Sequence, residues 1–220
     1  MVVGIIGDTH FPFVHKDYLA FIKKTFKKYK VNCVVHIGDV VDNHAISYHE
    51  SDPDGRSSGD EGVAADKVLQ EWYRAFPKMH VLLGNHDRLP ERKAKTFGLS
   101  GRLIKAFAEV WKTPKGWKVY PGEVEIDGVL YTHGTGNSGK NAALNLAMIK
   151  MQSLVMGHTH SFGGVQFVKG KENVFGMNVG CGIDDTAYAF EYGKHFRYRP
   201  TLGCGIVIDG KQPIYIPMES

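Results

Sequence analysis

Five times along the chain a short apolar run stops at a small group of Asp, Asn or His, and this repetition constrains the fold more than any other feature. The sharpest case is Cys33-Val34-Val35-His36-Ile37, which ends in Gly38-Asp39-Val40-Val41-Asp42. A β-branched run that stops in Gly-Asp reads as a buried strand delivering a carboxylate to the rim of a sheet. Residues 2–6 run into Gly7-Asp8-Thr9-His10, and residues 79–83 into Gly84-Asn85-His86-Asp87. Residues 129–132 end at His133-Gly134, and residues 154–156 at Gly157-His158-Thr159-His160. Strand ends are where α/β proteins build their sites, so five such endings predict side chains converging on one sheet edge.

Between these runs the spacing turns helical. Tyr18, Leu19, Ile22, Phe26 and Tyr29 recur on one face of a stretch from Lys16 to Tyr29, with lysines largely opposite. A helix is expected over Val63–Phe76, stopped by Pro77, another over about Leu99–Trp111, and a last over Asn141–Lys150. The polar segment Ser51–Gly62 reads as a long loop. Short strands are expected at 117–120, 124–126, 163–168, 173–179, 203–208 and 214–216, with Asp127-Gly128 marking a hairpin. Strand and helix alternate early, and strands crowd together later. That order suits an α/β fold of two packed sheets with helices outside.

The length of 220 residues and a hydrophobic content of 43% suit one well-buried core, so a single domain over residues 1–220 is expected. The formal net charge of +4 is too small to argue for nucleic acid by itself. Three cysteines, Cys33, Cys181 and Cys204, form no disulfide framework and favour a reducing compartment. The first motif arrives by residue 8 with no leader pattern before it, and no run approaches the roughly 20 apolar residues a bilayer needs. A cytoplasmic protein without membrane contact is expected; oligomeric state has no signature here.

Asp, Asn and His together form a mixed oxygen and imidazole shell that suits hard-to-borderline divalent ions, manganese foremost, with iron, zinc or nickel as alternatives. In order, Asp8-x-His10, Gly38-Asp39-x-x-Asp42, Gly84-Asn85-His86-Asp87, His133 and Gly157-His158-x-His160 resemble the calcineurin-like metallophosphoesterases. The resemblance implies a four-layer αββα sandwich of two mixed sheets flanked by helices. It further implies two divalent metal ions, one held by Asp8, His10, Asp39 and His160, the other by Asp39, Asn85, His133 and His158. Asp39 would bridge them, because a carboxylate spans the roughly 3.5 to 4 Å between paired cations. Hydrolysis of a phosphodiester or phosphomonoester by metal-activated water is implied, with His86 as general acid and Asp87 orienting it.

Other residues have two readings each. Asp42 caps a helix or accepts a hydrogen bond from a ligand histidine. Arg88 grips a phosphate oxygen or joins a surface salt bridge, and His44 and His49 stand as substrate contacts in the loop after Asp42. His36 reads as a satisfied core residue, and His15, His80 and His195 as solvated. Ser138-Gly139-Lys140 lacks P-loop spacing, so helix capping by Asn137 or Ser138 is the expectation. The run 194–199 interleaves cations with aromatics as single-strand nucleic-acid surfaces do, although a solvated strand face also explains it. The chain carries no added cap or nucleic-acid domain, which favours a small nucleotide-type substrate over a phosphoprotein. The alternatives are a nuclease acting on DNA or RNA and a non-catalytic scaffold such as the retromer subunit that keeps this fold.

Overall fold

The computed structural model describes residues 1–48, 55–170, 173–184, 186 and 199–219. Alternation along the β-branched runs assigns their two faces. In β1 (Val2–Ile6), Val3 and Ile5 point one way and Ile6 the other. β1 pairs in parallel with β2 (Cys33–His36), which pairs in parallel with β3 (Lys78–Leu82), and β3 with β4 (Gly116–Tyr120). β10 (Gly203–Ile208) lies antiparallel on the other side of β1, and β11 (Gln212–Pro217) antiparallel to β10. The first sheet therefore reads β11-β10-β1-β2-β3-β4.

The second sheet has the order β5-β6-β7-β9-β8. β6 (Val129–Thr132), β7 (Leu154–Met156) and β9 (Asn173–Val179) are parallel, with β5 (Glu123–Ile126) and β8 (Gly163–Lys169) antiparallel at the edges. The expected hairpin joins β5 to β6 with Ile126 opposite Val129. Both turn residues, Asp127 and Gly128, have positive φ, as a two-residue turn matching the strand twist requires.

Four layers result, the two sheets with helices on both outer faces. Val3, Ile5, Val35, Ile37 and Leu82 of the first sheet interleave with Tyr131, Val155, Phe175 and Met177 of the second. On the outer face of the first sheet, α1 (Tyr18–Lys28) buries Tyr18, Ile22 and Phe26, and α2 (Ser58–Ala75) buries Ala65, Leu69 and Trp72. On the outer face of the second, α5 (Ala142–Lys150) packs Ala142, Ala143 and Ala147 over Leu130, Leu154 and Met156. None of Cys33, Cys181 and Cys204 forms a disulfide. Among the described residues no helix is long and apolar enough to cross a membrane.

Two helix expectations need correction. α2 starts at Ser58 rather than Val63, because the Ser57 hydroxyl accepts the Asp60 amide at 3.2 Å and Asp60 and Glu61 suit the positive end of the helix dipole. The Gly- and Asp-rich first turn hid it. The expected helix over 99–111 is broken into a 3-10 turn, Gly101–Leu103, and a short α4, Phe107–Val110, while α3, Leu89–Thr96, precedes it. Pro90 sits in the first turn of α3, where its missing N–H costs nothing. Of the apolar groups in 99–110, Leu99, Leu103 and Val110 stay exposed, so little tertiary packing supports a longer helix there.

Candidate metal centre

The carboxyl ends of β1, β2, β3, β6 and β7 meet at one edge of the sandwich, as their five polar endings predict. The loops after β1 and β2 continue to pair beyond the strands. The amides of Thr9 and His10 donate to the Asp39 carbonyl at 3.1 and 2.9 Å, and the Asp42 amide donates to Phe11 at 3.1 Å. This pairing holds His10 and Asp39 in the left-handed region, both at φ 46°, and His158 joins them at φ 66°. Backbone of this kind is uncommon for residues with a Cβ and collects at functional sites.

The Thr9 and His36 side chains lock the two loops together. Gly38 N–H donates to His36 Nδ1 at 3.3 Å, which leaves the proton on Nε2 to donate to Thr9 Oγ1 at 3.0 Å. The Thr9 hydroxyl in turn donates to the Val40 carbonyl at 2.9 Å. His36 is thus a satisfied buried residue, and burial lowers its pKa to about 4.

Asp8, His10, Asp39 and His160 each offer a ligand atom within 4.8 Å of the others, and so do Asp39, His133 and His158. Asp39 belongs to both groups. Its Oδ1 accepts the His86 amide at 2.8 Å, while its Oδ2 faces His133 Nε2 at 3.2 Å and His10 Nε2 at 3.6 Å. Asn85 joins the second group, its Oδ1 lying 3.0 Å from His133 Nε2. His160 Nε2 sits 3.0 Å from Asp8 Oδ2 and 3.2 Å from His10 Nε2.

These residues fit a bound cation. The Nδ1–H of His10 donates to Asp42 Oδ1 at 2.6 Å, which leaves its Nε2 lone pair turned toward Asp39 and His160. Buried Asp8 Oδ1 has no hydrogen-bond partner among the described residues. A Cβ on Gly84 would lie 2.1 Å from Asp39 Oδ1, so only glycine lets the third loop close on that carboxylate. Convergent lone pairs and carboxylate oxygens repel one another unless a cation stands among them.

The charges show the same crowding. Burial opposes ionisation of Asp39, but His133 and His86 beside it hold its carboxyl well below the usual range. Burial likewise opposes the charged form of His133, and Asp39 and Asp8 outweigh it to raise the ring to about 9. His158 moves the other way, to about 4, through burial and the neighbouring His133.

His86 lies at the rim of this cluster, its ring 4.6 Å from that of His10 and edge-on to it. Its Nδ1 donates to the Asp42 carbonyl at 2.7 Å and lies 3.2 Å from Asp42 Oδ1. Burial disfavours its charge, yet Asp39 and Asp42 raise it to about 10. The grouping of His10, Asp42 and His86 is therefore already closed by protons on the two Nδ1 atoms. Asp42 takes the second of its two expected roles, accepting from a histidine of the cluster.

Asp87 stands differently from the expectation that it orients His86. Its carboxylate accepts the amides of Gly84, Val41 and Val40 at 2.9, 3.0 and 3.2 Å, which ties the second loop to the third, while Asp42 does the orienting. Burial, then the charge of Asp39, raises it to about 7. Arg88 is turned to the surface, toward Glu91 at 3.6 Å and the Pro121 carbonyl at 3.5 Å. His44 lies beside the cluster, with Nδ1 3.8 Å from Asp42 Oδ2. His49 and residues 194–198 fall outside the described residues.

Glu61 carries no signal of its own in the sequence, because it lies in the polar segment that reads as loop. It is buried in the first turn of α2, and its carboxylate accepts the amides of His44 and Ala45 at 2.9 and 3.0 Å. Asn43 adds a second tie, donating to the His86 carbonyl at 3.0 Å.

Two mixed sheets between helices, with carboxylates and imidazoles gathered at the strand ends, define a sandwich of the metallophosphoesterase type. The chain belongs to the calcineurin-like phosphoesterase family, whose sequence model matches residues 1–174. Among solved structures it is similar to a metallophosphoesterase from Sphaerobacter thermophilus, with a TM-score of 0.50 at 15% identity over all of this chain and 88% of that one. Zinc-complexed Vps29 from Entamoeba histolytica gives 0.48 at 14% identity over 99% of each chain, and the phosphoesterase Yfce from E. coli 0.44 at 16% over 94% and 88%. At these identities the likeness is one of fold. A search of curated proteins found no match.

Proposed function

We propose that this protein is a dinuclear metal-dependent phosphoesterase acting on a nucleotide-type phosphodiester or phosphomonoester. Asp8, His10, Asp39 and His160 would hold one divalent ion and Asp39, Asn85, His133 and His158 a second, with manganese the first choice. The observation that carries this reading is the position of Asp39, which stands in both ligand groups while its other oxygen anchors the His86 amide. Bound divalent ions supply polarisation of a phosphate oxygen and a water acidic enough to attack phosphorus.

The protein's own part is orientation and proton supply. Asp42 fixes His10 through Nδ1, and the Ile37 carbonyl lies 3.3 Å from Nδ1 of His133, so both rings turn Nε2 inward. His86, held through its own Nδ1 by Asp42, uses Nε2 to protonate the departing oxygen. A scaffold that had abandoned catalysis would be expected to lack a ligand or this histidine, and every one of them is present.

With added Mn2+ the purified protein should hydrolyse bis-p-nitrophenyl phosphate. His86→Ala should keep its metals and lose on the order of 10²- to 10⁴-fold in turnover. Equal rates for wild type and Asp39→Asn would overturn the assignment.

A further inference from the structure

Beside His86 the chain carries a surface that hydrolysis does not use. From Arg88 to Lys105 it holds six cations, Arg88, Arg92, Lys93, Lys95, Arg102 and Lys105, against the single carboxylate of Glu91. Among them stand Phe97, Leu99 and Leu103, exposed by 77, 52 and 69%. Single exposed apolar residues need no explanation, but three within this short basic stretch mark a surface built to be covered.

Tyr48 completes it from the other side. Lys93 Nζ lies 4.0 Å from its ring centroid and the Arg92 guanidinium 5.0 Å, so one aromatic ring gathers two neighbouring cations that would otherwise repel. The Tyr48 hydroxyl is bonded to Thr96 Oγ1 at 3.0 Å, and that hydroxyl donates to the Arg92 carbonyl. Both sides are rooted in the metal centre. The Leu89 amide at the head of α3 donates to the His86 carbonyl at 3.1 Å, and Tyr48 follows the His44–Ile46 turn beside Asp42.

We propose that this surface docks a single-stranded nucleic acid whose scissile phosphate lies at the metal centre; the inference rests on the phosphoesterase reading and names its substrate class. Cations beside a phosphoester site take the flanking phosphates, and exposed aromatic and apolar groups among them take the faces of unpaired bases. An anionic membrane fits less well. The apolar groups sit on turns and a 3-10 segment, not along one face of a helix long enough to lie in a bilayer interface.

The test is fluorescence anisotropy of labelled oligothymidylate with the full chain in EDTA, between about 50 and 200 mM salt. The wild type should bind. Arg92→Glu with Lys93→Glu should weaken binding at least about tenfold and flatten the plot of log affinity against log salt by about 0.7 for each phosphate no longer neutralised. Phe97→Ala should weaken it with the slope unchanged, because stacking releases no counterions. An unchanged unfolding temperature, and an unchanged rise in it on adding Mn2+, shows that the variants are folded.

Absence of wild-type binding at the lowest salt overturns the proposal. So does undiminished binding by the charge-reversed variant, or capture by phosphatidylserine vesicles or an acidic peptide in place of the oligonucleotide. Hydrolysis of the small diester without oligonucleotide binding overturns the surface alone and leaves the phosphoesterase reading standing. Failure to hydrolyse any ester overturns that reading, while the anisotropy result stands separately.

Discussion

Asp42 never faces the ligand pair directly, yet it sets two of the rings that do the work. Its Oδ1 takes the His10 proton and its carbonyl takes that of His86, while its Oδ2 has no hydrogen-bond partner among the described residues. Asp42→Ala should therefore weaken divalent-ion affinity by about 10- to 100-fold in calorimetric titration while leaving all seven proposed ligands in place. His133 governs the pH dependence. Its ring is raised to about 9, so at neutral pH it is protonated in the metal-free protein and must lose that proton to become a ligand. Ion binding at neutral pH should release protons, and apparent affinity should climb with pH until about 9; titration in buffers of differing ionisation enthalpy measures both. A pH-independent affinity would remove His133 from the ligand set.

At the scale of the element, close packing of α5 on the second sheet leaves no room for a side chain at one position of β9. A Cβ at Gly176 of β9 would come within 2.4 Å of the Ala143 and Leu144 backbone, which cannot swing aside as a side chain can. Gly176→Ala should cost about 1–3 kcal/mol, seen as a lower urea midpoint with an unchanged slope. Strand positions were legible in the sequence because β-branched runs bounded by Gly, Asp and His carry their own period and punctuation. The starts of α2 and α3 were not, because Gly59, Gly62 and Pro90 read as breakers until a cap or a first-turn position accommodates them.

In the molecule as a whole, the proposed ligands come from five strand ends on two sheets, so ions held there would add a further tie between loops that already meet through hydrogen bonds, ring contacts and buried apolar groups. The unfolded chain has no such site. Saturating Mn2+ at about 100 times its Kd should add about 2.7 kcal/mol. At roughly 2–4 °C per kcal/mol for a chain of this size, the unfolding temperature should rise by about 5–10 °C and fall back on chelation. Calorimetry of wild type and Asp39→Asn checks this, because the variant should lose most of the rise.

By itself the sequence determined the two-sheet architecture, the hairpin at Asp127-Gly128 and the kinds of residue that gather at the strand ends, since strand period, turn chemistry and ligand type are all local. Tertiary structure decided how those residues are used. The left-handed backbone at His10 and Asp39 is held by pairing between loops distant in sequence, and at His158 by its amide's bond to the Asp8 carboxylate; it sets where each side chain points. The same pairing gives Asp42 to the histidines, Asp87 to three backbone amides and Arg88 to the surface. It also brings Tyr48 against α3, a meeting that no spacing along the chain encodes.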